Sequence, residues 1–310
     1  EIMPSLVGSE MCIRDREKRM HKYLKAIGYG NITSQKQLNE FLKKAEETFS
    51  NHEIVAMEEE LDFCEYQKEC GAGIGINLCG SLDIRDNFER QYYSPYFIGS
   101  GITTFADVIV ERRMDRDAYV GICEDLKVGI SLIFYLQNTL EYLIESRFHS
   151  REVAPVSVTF AGLCNGGTIL LPIMKNEEQE KMRKKELKNR KMLLSAAKNG
   201  DQVAMESLTL EDIDTYSKVS QRLITEDVFS IVDTYFMPYG IECDRYSILG
   251  EILEMHTIQN EDTGEELYVM RLEVNELEFD VCVPIKNVIG EPAVGRRFKG
   301  NIWLQGRLNF

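Results

Sequence analysis

The chain has 310 residues, a formal net charge of -15, 44% hydrophobic and 28% charged residues, a balance that excludes disordered and fibrous classes and leaves room for two or three domains. Excess negative charge repels a phosphate backbone, so general binding to nucleic acid or to an anionic membrane is disfavoured unless a local basic patch overrides the field.

Residues 1–16 (EIMPSLVGSEMCIRDR) carry neither helical nor strand period. They resemble the translated read-through of a sequencing adapter, and Glu17, Lys18 and Arg19 can be encoded by purine codons, as a ribosome-binding site would be. Residues 1–19 are therefore expected to be a non-native or disordered leader, with Met20 as the native start. They hold four acidic and four basic groups, so the net charge is unchanged without them.

Residues 20–173 are expected to form an α+β domain, an antiparallel sheet packed with helices. MHKYLKAIG reads as a helix closed by Gly28, and Ser34 with Gln37 forms a capping box ahead of Leu38, Phe41, Leu42, Ala45 and Phe49. Six strand-like runs follow: EIVAM, LDFCEYQKE, GIGINLCG, ERQYYSPYF, TFADVIVERRM and AYVGICE. From Leu126, the spacing of Ile130, Ile133, Phe134, Leu136, Leu140, Leu143 and Ile144 predicts a long, largely buried helix, and VSVTFAG and TILLPI predict two strands.

Residues 174–236 read as helical and charged. Asn176 can cap a helix with Glu177/Lys181, Glu180/Lys184 and Glu186/Arg190 at i,i+4 and Gly200 near its end. Its basic run KMRKKELKNRK lacks interleaved aromatics for base stacking, so it reads as a solvated face laced with ion pairs. Thr209 to Asp212 is expected to cap a second helix bearing Ile213, Tyr216, Val219 and Leu223, and Thr225 starts EDVFSIVDTYF, which fits helix or strand.

Residues 237–310 alternate as strands do: YSILGEILEMHTI, EELYVMRLEV, LEFDVCVP and RRFKGNIWLQGRLNF, with Glu261 to Gly264 as a hairpin turn. With a short helical link at Ile285 to Ile289, the order is similar to a small oligonucleotide/oligosaccharide-binding barrel from which one strand is missing.

The longest apolar run, Val128 to Leu136, has nine residues, where a membrane span needs ~20. Met20 leads into no secretory pattern, and the seven cysteines from Cys64 to Cys282 are scattered and odd in number, which fits a reducing compartment. A cytoplasmic location is expected. There is no C-x-x-C pair, and His21, His52, His149 and His256 lie far apart, so neither metal nor cofactor is expected.

Four features could carry chemistry. Gly71-Ala-Gly-Ile-Gly75 superficially matches a phosphate loop but lacks the Lys-Ser/Thr pair and runs into a strand, so it reads as a turn. Glu111, Asp115, Asp117, Glu124 and Asp125 could bind a divalent cation, but Arg112, Arg113 and Arg116 offer ion-pair partners instead. Cys123 has no local histidine to act as base and reads as core. Arg296, Arg297, Lys299 and Arg307 surround Trp303 and Gln305, and Arg296, Arg297, Lys299, Trp303 and Gln305 are the candidate ligand-binding residues; packing is the competing role for Trp303.

Met20 to Phe310 resembles a family of uncharacterised bacterial proteins found mainly in anaerobic gut Clostridia. The likeness rests on MHKYLKAIG at Met20, YYSPYF at Tyr92, LIFYLQN at Leu132, GGTILLPI at Gly166, SLTLEDIDTYS at Ser207, EDVFSIVDTYFMPYGIECD at Glu226 and GEPAVGRRFKGNIWLQG at Gly290. It implies no activity, cofactor or catalytic residue. With no paired carboxylates, nucleophile and base, or metal-ligand set at informative spacing, the reading is a non-enzymatic binding or regulatory protein with an unknown protein or small-molecule partner. The alternatives are an enzyme whose site only the fold assembles, and nucleic-acid binding through the C-terminal basic and aromatic residues.

Overall fold

The computed structural model describes residues 20–56, 62–82, 87–112, 118–125, 130–148, 157–173, 177–222 and 227–310. The leader expected at residues 1–19 lies outside them. The fold is α+β. A 3-10 helix at Lys22–Ile27 ends at Gly28, whose φ of 94° lets its N–H return to the Leu24 and Lys25 carbonyls. Helix α1 (Gln35–Glu47) carries the expected capping box, Ser34 receiving the Gln37 N–H while the Gln37 side chain caps Ser34.

Strands β1 (Asn51–Ala56), β2 (Asp62–Gly71), β3 (Ile74–Leu82) and β4 (Phe88–Phe97) form an antiparallel meander in chain order. The other sheet starts with β5 (Val108–Arg112), β6 (Tyr119–Glu124) and β7 (Ser131–Leu136), continues through helix α2 (Thr139–Phe148), and reaches β8 (Ser157–Leu170). Helices α3 (Glu177–Lys198), α4 (Gln202–Arg222) and the short α5 (Val228–Ile231) come next. The chain then lays down β9 (Tyr235–Pro238), β10 (Arg245–Gln259), β11 (Glu266–Val274), β12 (Leu277–Pro284), β13 (Val288–Ile289) and β14 (Arg297–Asn309).

Five of these strands close a barrel in the order β10, β11, β12, β8, β14 and back to β10. The strand missing from residues 237–310 is β8, which enters from upstream, runs parallel to β12 and pairs antiparallel with β14. The barrel is filled by Ile248, Ile252, Met270, Leu272, Phe279, Val281, Phe298 and Ile302, all fully buried. Each such aliphatic or aromatic side chain contributes about 1.5–3 kcal/mol of burial. The interior is a core and not a ligand chamber. At its far end β14 exchanges β10 for β7, with Gln305 opposite Tyr135, and so joins the barrel to the β5–β7 ladder.

A second core lies between the barrel's outer wall and the meander. The 3-10 helix and α1 fill it with Leu24, Ile27, Leu38 and Leu42, against Ile76 and Leu78 on one side and Leu163, Val269 and Trp303 on the other. The β10–β11 turn fastens this joint. Asn260 Nδ2 donates to the Ile27 carbonyl at 2.6 Å, Thr263 Oγ1 donates to the Gly28 carbonyl at 3.0 Å, and the Tyr29 hydroxyl donates to Asp262 at 2.5 Å.

Three sequence expectations need correction. Residues 126–129 of the expected long helix lie outside the described residues, and the rest is β7 followed by α2: SLIFYL is rich in β-branched and aromatic residues and pairs with β6, and Asn138 breaks the run by bonding to Leu308 and Glu141. VSVTFAG and TILLPI are one continuous strand, because Gly166 and Gly167 let the chain pass close to Asn287 and Phe298 rather than turning it. Thr209 lies inside α4, which is capped by Asp201 Oδ1 receiving the Val203 and Ala204 N–H groups. EDVFSIVDTYF is helix and then strand, with Asp227 capping α5 ahead of β9. Among the described residues, no helix is long and apolar enough to cross a membrane.

Candidate functional site

The five candidate residues, Arg296 just before β14 and the other four on it, do not form one exposed patch. Arg297 is buried and spends its guanidinium on three carbonyls: Leu171 at 3.1 Å, Val232 at 2.9 Å and Phe229 at 2.7 Å. Burial pushes its pKa down, partly offset by Asp233 and Glu251. Lys299 places its ammonium 4.2 Å from the Phe229 ring centre, and Arg296 donates to the Glu291 carbonyl at 2.5 Å. Trp303 is buried among His21, Tyr23 and Tyr135 and donates from Nε1 to Asp244 at 2.9 Å. Gln305 is fully buried, accepting from the Phe97 N–H and from Gln137 while donating to the Pro95 carbonyl. These contacts describe joints between elements.

The other sequence candidates are similarly absorbed. Gly71 to Gly75 forms the β2–β3 turn, where a Cβ on Gly75 would collide with the Lys68 carbonyl and the Tyr96 hydroxyl. Asp115 and Asp117 lie outside the described residues. Glu111 stands opposite Val120 and Glu124 opposite Ser131, at opposite ends of β6, while Asp125 accepts from Thr104 Oγ1 at 2.6 Å. Cys123 is fully buried, and burial beside Asp125 and Asp107 raises its thiol to about 12. Among the described residues, no three His, Cys, Asp or Glu side chains gather as a metal site would require.

Two features that sequence reasoning passed over stand out. The first is the meander's polar face. Glu65 lies level with Cys79 and Tyr92, and Gln67 with Asn77 and Ser94, so all six share one side of the sheet. Alternation would put such a face in water. Instead β7 and α2 cover it: Tyr135 meets Ser94 at 2.9 Å, and Leu140 packs with Val55, Phe63 and Cys79. Glu65 is 5% exposed, held by Gln67 Nε2 at 3.0 Å and the Cys79 thiol at 3.8 Å. Burial raises its carboxyl from 4.5 to about 7, with the charge of Glu53 adding to the effect. Cys79 and Tyr92 are pushed well above their usual range by the same burial. The neighbouring Asn77 Oδ1 has no hydrogen-bond partner among the described residues.

The second feature is the α3–α4 hairpin, whose helices pack on one another and, among the described residues, make no comparable contact with any other element. Ala204 and Leu208 face inward, and Glu211 meets Arg190 at 3.9 Å. The outer side of α4 carries Val203, Leu210 and Ile213, exposed by 72%, 67% and 61%, and α3 exposes Met192 by 66%. Positions 203, 206, 210, 213 and 217 fall on one stripe at helical spacing. Arg297 grips both ends of this arm, through Leu171 before α3 and through Phe229 and Val232 after α4.

The family model described as "Domain of unknown function, E. rectale Gene description (DUF3881)" matches residues 24–306. The chain belongs to that family, in agreement with the Clostridial resemblance read from its motifs. No curated protein and no solved structure matches the chain.

Proposed function

We propose that this DUF3881 member is a non-enzymatic cytoplasmic binding or regulatory protein whose α3–α4 arm docks a protein partner. The observation that carries the reading is the stripe of Val203, Leu210 and Ile213, left uncovered on an arm that a buried arginine fixes to the barrel. Exposed apolar residues at one helical spacing mark an interaction surface more often than isolated ones do. Six buried, unpaired cysteines support a reducing compartment. The packed barrel interior and the structural use of Arg297, Trp303 and Gln305 give a nucleic-acid role at β14 less support.

A photoreactive residue placed at position 210 or 213 tests the docking role in living cells. A discrete covalent adduct from the arm, missing when the probe stands at the exposed barrel-side position Ile241, is expected. Absence of any adduct from both arm positions would overturn the reading.

A second reading, an enzyme or small-molecule site assembled by the fold, is favoured by the buried polar face around Glu65 and Asn77. A thermal-shift screen against metabolites, nucleotides and sugars tests it. Ligand at 100 times its dissociation constant stabilises by ~2.7 kcal/mol. A hit abolished by Asn77→Leu would support this reading, and silence across the screen would count against it.

A further inference from the structure

We infer that the buried polar face of the meander binds a monovalent cation, held by the Glu65 carboxylate together with the side-chain oxygens of Asn77 and Ser94. This rests on the small-molecule reading of that face given above and names the class of ligand. Glu65, Asn77 and Ser94 are 5%, 2% and 3% exposed. A carboxylate taken out of water is costly unless it is paired. The partners of Glu65 are neutral, the Gln67 amide and the Cys79 thiol, and among the described residues no basic side chain forms an ion pair with it. An independent observation points to the same place: Asn77 Oδ1 is buried with no hydrogen-bond partner among the described residues, an acceptor that a cation would satisfy.

The register brings these oxygens together. Gln67 stands directly opposite Asn77, and Asn77 directly opposite Ser94, with Cβ atoms of opposed residues about 4.5–5.5 Å apart. Glu65 Oε1 accepts from Gln67 Nε2 at 3.0 Å, so the carboxylate leans toward the row that holds Asn77 and Ser94. At the end of that row the Tyr135 hydroxyl lies 2.9 Å from Ser94 Oγ.

Charge selects the ligand. One buried carboxylate among neutral oxygens is balanced by a single positive charge, since Glu53, level with Glu65 on β1, is exposed to solvent. A calcium site would gather further carboxylates, and no three His, Cys, Asp or Glu side chains converge among the described residues. Enclosure means that protein oxygens replace the ion's hydration shell, as carbonyls do in a potassium filter. Potassium and ammonium, which release water more readily, are therefore favoured over sodium and lithium. In dilute buffer a proton neutralises the same carboxyl instead, so the cation is sought at high salt and alkaline pH.

The test is urea unfolding of the full chain at pH 8 in the chloride salts of potassium, ammonium, sodium, lithium and choline, choline being too large for an enclosed site. Potassium at about 200 mM should raise the folding equilibrium constant about fivefold over choline, the factor expected for a Kd of about 50 mM. Ammonium should match it and lithium should do least. Glu65→Gln and Asn77→Leu should each abolish the preference, with circular dichroism confirming that they fold; Ser94→Ala gives the same readout should Asn77→Leu fail to fold. Equal stability of the unaltered chain in potassium and choline, or a preference kept by the variants, would overturn the inference. A metabolite that stabilises the chain where potassium does not overturns the cation assignment and leaves the small-molecule reading standing. A potassium preference with silence across the metabolite screen supports the cation and sets a larger ligand aside.

Discussion

The guanidinium of Arg297 donates to the Val232 carbonyl at 2.9 Å, and by its other nitrogens reaches Phe229 and Leu171, so one side chain on the barrel wall holds both roots of the helical arm. The arrangement uses a fork of donors where only carbonyls are available, which a lysine could not satisfy. Arg297→Met keeps an unbranched apolar stem in place of the arginine's own and loses all three bonds. It should cost about 2–4 kcal/mol, given 1.5–3 kcal/mol for a bond to a charged group and strong non-additivity among the three. Urea unfolding followed through Trp303, the chain's single tryptophan, measures the cost. Limited proteolysis should show faster cutting near residues 171 and 229; unchanged cutting and stability would mean that the arm is held by other contacts.

Asn260, which follows the last residue of β10, makes an equivalent joint. It is fully buried, donates to the Ile27 carbonyl and accepts from the Asp262 and Thr263 N–H groups, so it shapes the β10–β11 turn and anchors the 3-10 helix together. Asn260→Ala leaves buried groups unpaired and should destabilise the chain by about 2–4 kcal/mol. Since Trp303 stacks on Tyr23 of that helix, its fluorescence in the folded variant should also change. A spectrum identical to that of the unaltered chain would show that the helix stays seated without Asn260.

Gly75 separates the turn reading of Gly71 to Gly75 from a phosphate-binding one. Its missing Cβ leaves room for the Lys68 carbonyl and the Tyr96 ring. Gly75→Ala should lower stability by about 1–3 kcal/mol through overpacking, with no dependence on added nucleotide. Stabilisation of the unaltered chain by nucleotide, lost in the variant, would instead restore the phosphate reading.

How far the sequence could be read follows from what each pattern encodes. The strands β1 to β6 and β10 to β12 were legible because alternation and turn residues agree, and the Ser34 capping box because its partners are local. SLIFYL fits a helix as well as a strand, because a short apolar run suits either period, and only pairing with β6 decides it. The fifth barrel strand, β8, lies upstream of the other four and was not legible as such, because closure is a tertiary property with no local signature. At β14 the residue types were noticed but their exposure was not readable: a charged or aromatic residue in an alternating strand looks the same whether it meets solvent or, like Arg297, three carbonyls. The polar meander face shows the converse, since Glu65 and Asn77 alternate with apolar neighbours as a solvated strand would.

That buried face makes a pH prediction whose sign can be worked out. Glu65 has its carboxyl raised from 4.5 to about 7 by burial, and the titratable groups around it are Glu53 on β1, Cys79 on β3, Tyr92 on β4 and, beyond Tyr92, Tyr135 on β7. A group raised in the folded state favours folding most below its unfolded value, where both states are protonated, and that advantage is lost as pH climbs through the folded value. Stability should therefore fall between about pH 4.5 and pH 7 by on the order of 3 kcal/mol from this group, at 1.36 kcal/mol per unit. Glu65→Gln preserves shape and can still accept from Gln67. Relative to the unaltered chain it should be no more stable at pH 4.5 and more stable at pH 8 by up to that amount, read from urea midpoints at both values. A stability difference between the two proteins that does not change with pH would mean that Glu65 is not the titrating group, and that the face is held neutral by another arrangement.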